Sequence, residues 1–188
     1  MIHRPSRTRT FRYGRALAAG LLLAAALSSA GATAPASAVQ QSNRYSSGHV
    51  GLAFDYPPGY SADLSHENDG THQWHMVTVH KAQMPAGTST TAGAPRITIC
   101  VFENERKWSP REWIHSSERA LPSASPIVEG NLGADPSVSY DDSSGVHHLA
   151  LLHDGLIYYF SVYSQGDGAL AQVFKNLTAT IAYPTDGP

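Results

Sequence analysis

Histidine is the side chain in this sequence best suited to chemistry near neutral pH, because imidazole both moves protons and ligates borderline metals. The chain holds ten, and all but His3 lie from residue 49 onward. His66, Glu67, Asp69, His72 and His75 fall within ten residues of one another. His66, Asp69, His72 and His75 make the one candidate metal site, since each is of ligand type. Their spacing matches no zinc motif, and inside a strand residues three apart point to opposite faces. A solvated polar loop is the plainer reading. His147, His148 and His153 are worse placed. The first two are adjacent and face opposite ways, while His147 and His153 stand about 20 Å apart at ~3.3 Å per residue.

Nucleophilic chemistry finds little to work with. There is no G-x-S-x-G elbow, and Ser164-Gln165-Gly166 lacks the first glycine. Cys100 is the only cysteine, which excludes an intramolecular disulfide. It alternates within an apolar strand, so it is expected as a buried, unreactive thiol. Asp141-Asp142 before Ser143-Ser144-Gly145 reads as a turn rather than a paired-carboxylate site. Asn176-Leu177-Thr178 matches a glycosylation sequon but falls at the end of a predicted helix. The aromatics Trp74, Trp108, Trp113, Tyr158, Tyr159 and Tyr163 have two readings. They either fill the space between sheet and helices or leave an exposed patch, which would mark a binding surface. No catalytic residue and no cofactor is assigned.

Positioning these side chains falls to the following elements. Residues 39–49 (VQQSNRYSSGH) are polar and read as a flexible lead-in. Alternation predicts a strand over 50–56, stopped by Pro57-Pro58-Gly59. A polar loop is expected over 61–71, a strand over 73–81, and a Gly/Ser/Thr/Pro-rich loop over 84–95. Residues 96–102 are apolar on both faces and therefore belong at the centre of a sheet covered from both sides. Ser109-Pro110-Arg111-Glu112 carries a capping box with proline at the first helical position. Trp108 and Trp113 stand at the positions of a hydrophobic staple, and Pro122 is expected to stop the helix. Residues 127–140 read as weak or bulged strand. Strands over 146–153 and 156–164 flank Asp154-Gly155, a type I′ pair, which sets Leu152 against Ile157, Ala150 against Tyr159 and His148 against Ser161. A helix capped by Asp167 shows Leu170, Val173, Phe174 and Leu177 as one stripe, and a strand over 178–183 closes the chain. The sum is an α+β domain over 50–184, with an antiparallel β-sheet sandwiched between helices.

Phe54-Asp55-Tyr56-Pro57-Pro58-Gly59-Tyr60 resembles the opening strand and turn of the PsbP-like/Mog1-like superfamily. Residues 156–160 and 174–181 are similar to that family's final hairpin, helix and Thr-hydrophobic strand, and 130–140 takes the place of its central glycine-containing strand. The likeness covers nearly all of 46–184. It implies an α/β/α layering and a binding or accessory role, since the members include an extrinsic photosystem II subunit, a regulator that binds a small GTPase, and many exported bacterial proteins. The matching positions are core and turn residues, so no site residue carries over.

The N-terminus supplies an address. Arg4, Arg7, Arg9, Arg12 and Arg15 precede an apolar run over 16–27, and Ala36-Ser37-Ala38 forms an A-x-A cleavage pattern. Residues 1–38 are thus expected as a cleaved signal peptide of bacterial type. No cysteine stands near the cleavage site to carry a lipid, so an extracellular product (or one in the extracytoplasmic cell envelope) without stable membrane insertion is expected. Five of the thirteen basic residues and none of the fifteen acidic ones lie in this leader, leaving eight against fifteen, a net charge of −7. That balance argues against nucleic acid as a partner. The expectation is a secreted, non-enzymatic binder of an unidentified protein or small molecule, with an extracytoplasmic hydrolase and a metal-binding protein as alternatives.

Overall fold

A computed structural model of the chain describes residues 41–68, 70, 73–82, 94–117 and 120–184. The expected leader at 1–38, most of the loop at 84–95, and Asp69 and His72 lie outside the described residues. Strands β1 (Asn43–Ser47) and β2 (Leu52–Tyr56) pair antiparallel as a hairpin of their own. The main sheet contains β3 (Tyr60–Asn68), β4 (Gln73–Lys81), β5 (Arg96–Glu103), β6 (Val128–Leu132), β7 (Asp135–Asp141), β8 (His147–His153) and β9 (Leu156–Tyr163). Its order is β3-β4-β5-β9-β8-β7-β6, antiparallel throughout. Helix α1 is Pro110–Ser116 and helix α2 is Gly168–Ala179.

The sheet has two differently built faces. One carries Val77, Val79, Ile97, Ile99, Phe160 and Val162 and is covered by Leu170, Val173 and Leu177 of α2 and by Leu52 and Phe54 of β2. Burial of each such side chain is worth about 1.5–3 kcal/mol. The other face carries Val138, Tyr140, Ala150, Ile157 and Tyr159 and packs against Trp113 and Ile114 of α1. The fold is α+β with its antiparallel sheet between helices, as expected.

Local signals with a specific geometry appear where they were read. Asp154 and Gly155 both have positive φ, 46° and 79°, as a type I′ turn requires. The β8–β9 register sets Leu152, Ala150 and His148 against Ile157, Tyr159 and Ser161. Ser109 accepts from the Glu112 amide while the Glu112 carboxylate accepts from the Ser109 amide.

Five expectations are corrected. The lead-in at 39–49 contains β1, because Tyr45 stacks on Phe54 at 5.0 Å and Arg44 pairs with Asp55 at 2.9 Å. The polar loop at 61–71 is mostly the edge strand β3. Among the described residues after Tyr60, only Ala62 and Leu64 pack against the core, so the stretch is too polar to declare itself. Helix α1 stops at Ser116 rather than running to Pro122: Ser117 turns extended (φ −85°, ψ 132°) and leaves Leu121 exposed. Residues 127–140 are not a single bulged strand but the β6–β7 hairpin, turning at Gly133 with φ 64°. Finally, 178–183 is no strand. Helix α2 runs on to Ala179, with the Thr178 hydroxyl donating to the Phe174 carbonyl, after which only Ala182, among the described residues, bridges to Ala53.

Because α1 has only seven residues, its cap matters more than it would in a long helix. Ser109→Ala is expected to lower unfolding free energy by about 1 kcal/mol, read as a shift in the urea midpoint with unchanged slope.

Candidate functional site

Where β4 begins and β5 ends, the sheet opens into a groove of about 630 Å³. Trp74, Phe102, Trp108 and Trp113 line it, with His49, His75, Glu103, Glu105 and Arg106 as its ionisable groups. The chain has three tryptophans, and all three are in this groove.

Each wall has a local cause. Trp113 is delivered by α1, and its ring stands 5.5 Å from Phe102, which in turn stands 6.2 Å from Trp74. Trp108 is clamped by the Asn104 side chain, which donates to its carbonyl at 2.8 Å and accepts from its amide at 3.0 Å. The Asn104 amide donates to the Gly155 carbonyl, tying this segment to the β8–β9 turn. The Arg106 guanidinium lies 5.0 Å from the Trp108 ring. Opposite, the β1–β2 turn is held by the buried Tyr158 hydroxyl, within 3.3 Å of the Val50 carbonyl and 3.2 Å of the Gly51 carbonyl. Gly51 has φ 61°, and a Cβ there would sit 3.2 Å from that hydroxyl, so glycine is the fitting residue on both counts. Burial pushes Tyr158 up to about 12, which keeps the hydroxyl protonated and donating.

Of the four metal candidates, His66 and His75 are brought together. They are directly opposed on β3 and β4, with rings 4.7 Å apart at 75°. The pairing does not show in the sequence pattern, because β3 is too polar to read as a strand. The His75 Nδ1 atom is buried and has no hydrogen-bond partner. Among the described residues no group of three or more His, Cys, Asp or Glu is arranged to hold a metal ion. The second histidine group stays dispersed: His147 bonds Asp141 at 2.9 Å, and His153 bonds Asp135 at 2.9 Å while stacking on Tyr183.

A second constellation emerges on the α1 side of the sheet. Strand register aligns Thr78, Thr98, Ser161, His148 and Tyr140 in a polar row across β4, β5, β9, β8 and β7. His148 is fully buried, its ring between Tyr140 and Tyr159. Its Nε2 lies 3.2 Å from Asp142 Oδ2, and its Nδ1 lies 2.9 Å from Ser161 Oγ and 3.0 Å from the Tyr159 hydroxyl. Burial lowers the His148 pKa against the opposing pull of Asp142. Burial pushes the Asp142 carboxyl up, but the Val146 amide, His148 and the Ser144 amide together hold it below its ordinary value. A neutral imidazole therefore donates from Nε2 to a carboxylate and accepts at Nδ1.

The connectivity is serine–histidine–aspartate, yet Ser161 sits in mid-strand, buried, in a strand paired on both sides. Backbone amides committed to a ladder supply no preorganised pair of donors for an oxyanion. What this geometry does is fix one histidine tautomer inside the sheet. Half of it was legible, since the hairpin register already set His148 against Ser161. Asp142 is the turn residue its sequence neighbours imply, accepting from the Ser144 and Val146 amides at one oxygen, and its second oxygen is what reaches the ring.

Cys100 is half-buried, and burial followed by the Glu67 charge pushes its thiol up to about 11, so it is protonated and unreactive near neutral pH. Asn176 of the sequon lies on α2, where it accepts from Gln172.

No family model and no curated protein matches the chain. Among solved structures it is similar to cyanobacterial PsbP from Synechocystis, with a TM-score of 0.42 and 11% identity over 81% of this chain and 98% of that one. Values this low carry no function across.

Because His148 is harder to protonate folded than unfolded, it stabilises the fold above its ordinary pKa of about 6.5 and ceases to as pH falls below that value. His80 has the opposite sign: burial pulls it down, but its 2.6 Å bond to Asp63 and the Lys81 carbonyl outweigh this and raise it. Its contribution is present below about 6.5 and fades as pH rises. In urea titrations at pH 7.5 and 5, His148→Gln should lower both midpoints but flatten the acid loss. His80→Ala should steepen it.

Proposed function

We propose that the chain is an exported, non-enzymatic binding or accessory protein that takes its ligand in the aromatic groove at the end of the sheet. The observation that carries this reading is the gathering of every tryptophan of the chain on one open, 630 Å³ concavity. Trp74 and Trp108 are only half-buried there, although a small core gains most by burying such rings completely. Rigid aromatic surface beside a few polar groups is the usual composition of ligand pockets and of interface hot spots. Glu103, Glu105, Arg106, His49 and Gln73 supply that polar rim.

The expected leader at 1–38 and the net charge of −7 beyond it support an extracytoplasmic setting and a partner other than nucleic acid. No described helix is long and apolar enough to cross a membrane. An apolar or planar chemical group stacked between the rings, with its polar edge toward Glu103, Glu105 and Arg106, is the ligand chemistry that this lining accommodates.

The arrangement also provides its own reporter, because intrinsic fluorescence comes from the groove and from the tyrosines alone. Purified protein and a Trp74→Ala/Trp108→Ala double variant can be incubated with culture medium and the retained compounds identified by mass spectrometry. The wild type is expected to retain a compound that shifts its tryptophan emission, and the double variant to retain none of it. Equal retention by a folded double variant would place the site elsewhere.

A further inference from the structure

We propose that His66 and His75 form a two-imidazole clamp for a borderline divalent cation at the rim of the groove, with Cu²⁺ preferred over Ni²⁺ and Zn²⁺. The two residues are direct cross-strand partners, so their Cβ atoms start from a fixed, short separation. An imidazole whose nitrogen lies ~2.0 Å from an ion has its ring centre about 3.2 Å away, and two cis ligands therefore bring ring centres to about 4.5–5 Å. The observed separation is 4.7 Å, edge to face.

The second observation is the His75 Nδ1 atom, buried and without a hydrogen-bond partner. A buried nitrogen of this kind normally has a bonded neighbour. Both rings line a cavity of about 290 Å³, and His75 also lines the aromatic groove. Among the described residues no third donor stands with the pair. Two nitrogens plus water oxygens suit the tetragonal preference of Cu²⁺, which also heads the affinity order for nitrogen sites.

The test is titration of the purified protein with copper sulfate, followed by calorimetry and electron paramagnetic resonance. One Cu²⁺ per chain with hyperfine coupling to two imidazole nitrogens is expected. His66 is exposed, so His66→Ala should fold, as circular dichroism would verify. Partners outside the first shell are themselves worth ~10–100-fold in affinity, so loss of a ligand should cost at least about tenfold. His80→Ala, whose ring is already bonded to Asp63, should leave copper binding unchanged. Absence of binding, a single-nitrogen signal, or undiminished affinity in His66→Ala would each overturn the clamp. Since the Trp74→Ala/Trp108→Ala variant retains both histidines, copper binding and ligand retention fail independently.

Discussion

Strands β5 and β9 lie side by side in the sheet; β9 is buried on both faces and β5 on its α2 face, and a strand buried on both sides needs cover from both. Residues 157–162 of β9 are buried without interruption, Ile157, Tyr159 and Ser161 toward α1 and Tyr158, Phe160 and Val162 toward α2. Everything else is arranged to supply cover. Helix α2 and the β1–β2 hairpin close one face with a large continuous core. Helix α1, at seven residues, is too short to close the other.

The incomplete cover is what gives the molecule its surfaces. Where α1 reaches, Trp113 packs on Phe102 and Tyr159. Beyond its reach, the face over β4 and β5 is a cleft of about 350 Å³ floored by Met76, Thr78, Thr98 and Cys100. At the strand ends the same aromatic chain runs out into the groove through Phe102, Trp74 and Trp108. A polar row crosses this face because register aligns it, and its Ser161, His148, Tyr159 and Tyr140 members are bonded to one another and to the Leu121 backbone: Tyr140 donates to the Leu121 carbonyl, and Tyr159 accepts from the Leu121 amide. A fully satisfied buried network rigidifies the sheet, whereas a partly satisfied one would cost more than an apolar row.

Elements whose signals are local were legible in the sequence. The Ser109–Glu112 box, the Asp154-Gly155 turn and the Leu170–Leu177 stripe each encode a geometry within a few residues. Strands β1 and β3 were not, because each is largely polar and is held by its partner: Tyr45 by Phe54, Leu64 by a core that folds elsewhere in the chain. The candidate site was legible only as a list of types. The staple already joins Trp108 to Trp113, but Trp74 lies far earlier in the chain and only the fold brings it to them, and His66 meets His75 only once β3 exists. Asp142, His148 and Ser161 are joined by a register that a sequence states for one hairpin at a time.

The dependence of the whole on β5 and β9 is tested most directly by native-state hydrogen exchange of backbone amides. The slowest exchange, at the free energy of global unfolding, is expected in β5, β9 and the adjoining β8. The edge strands β3 and β6 and the groove segment 104–108 should open earlier. Amides of β5 and β9 that exchange as fast as those of the edge strands would contradict a fold organised around a two-sided central pair.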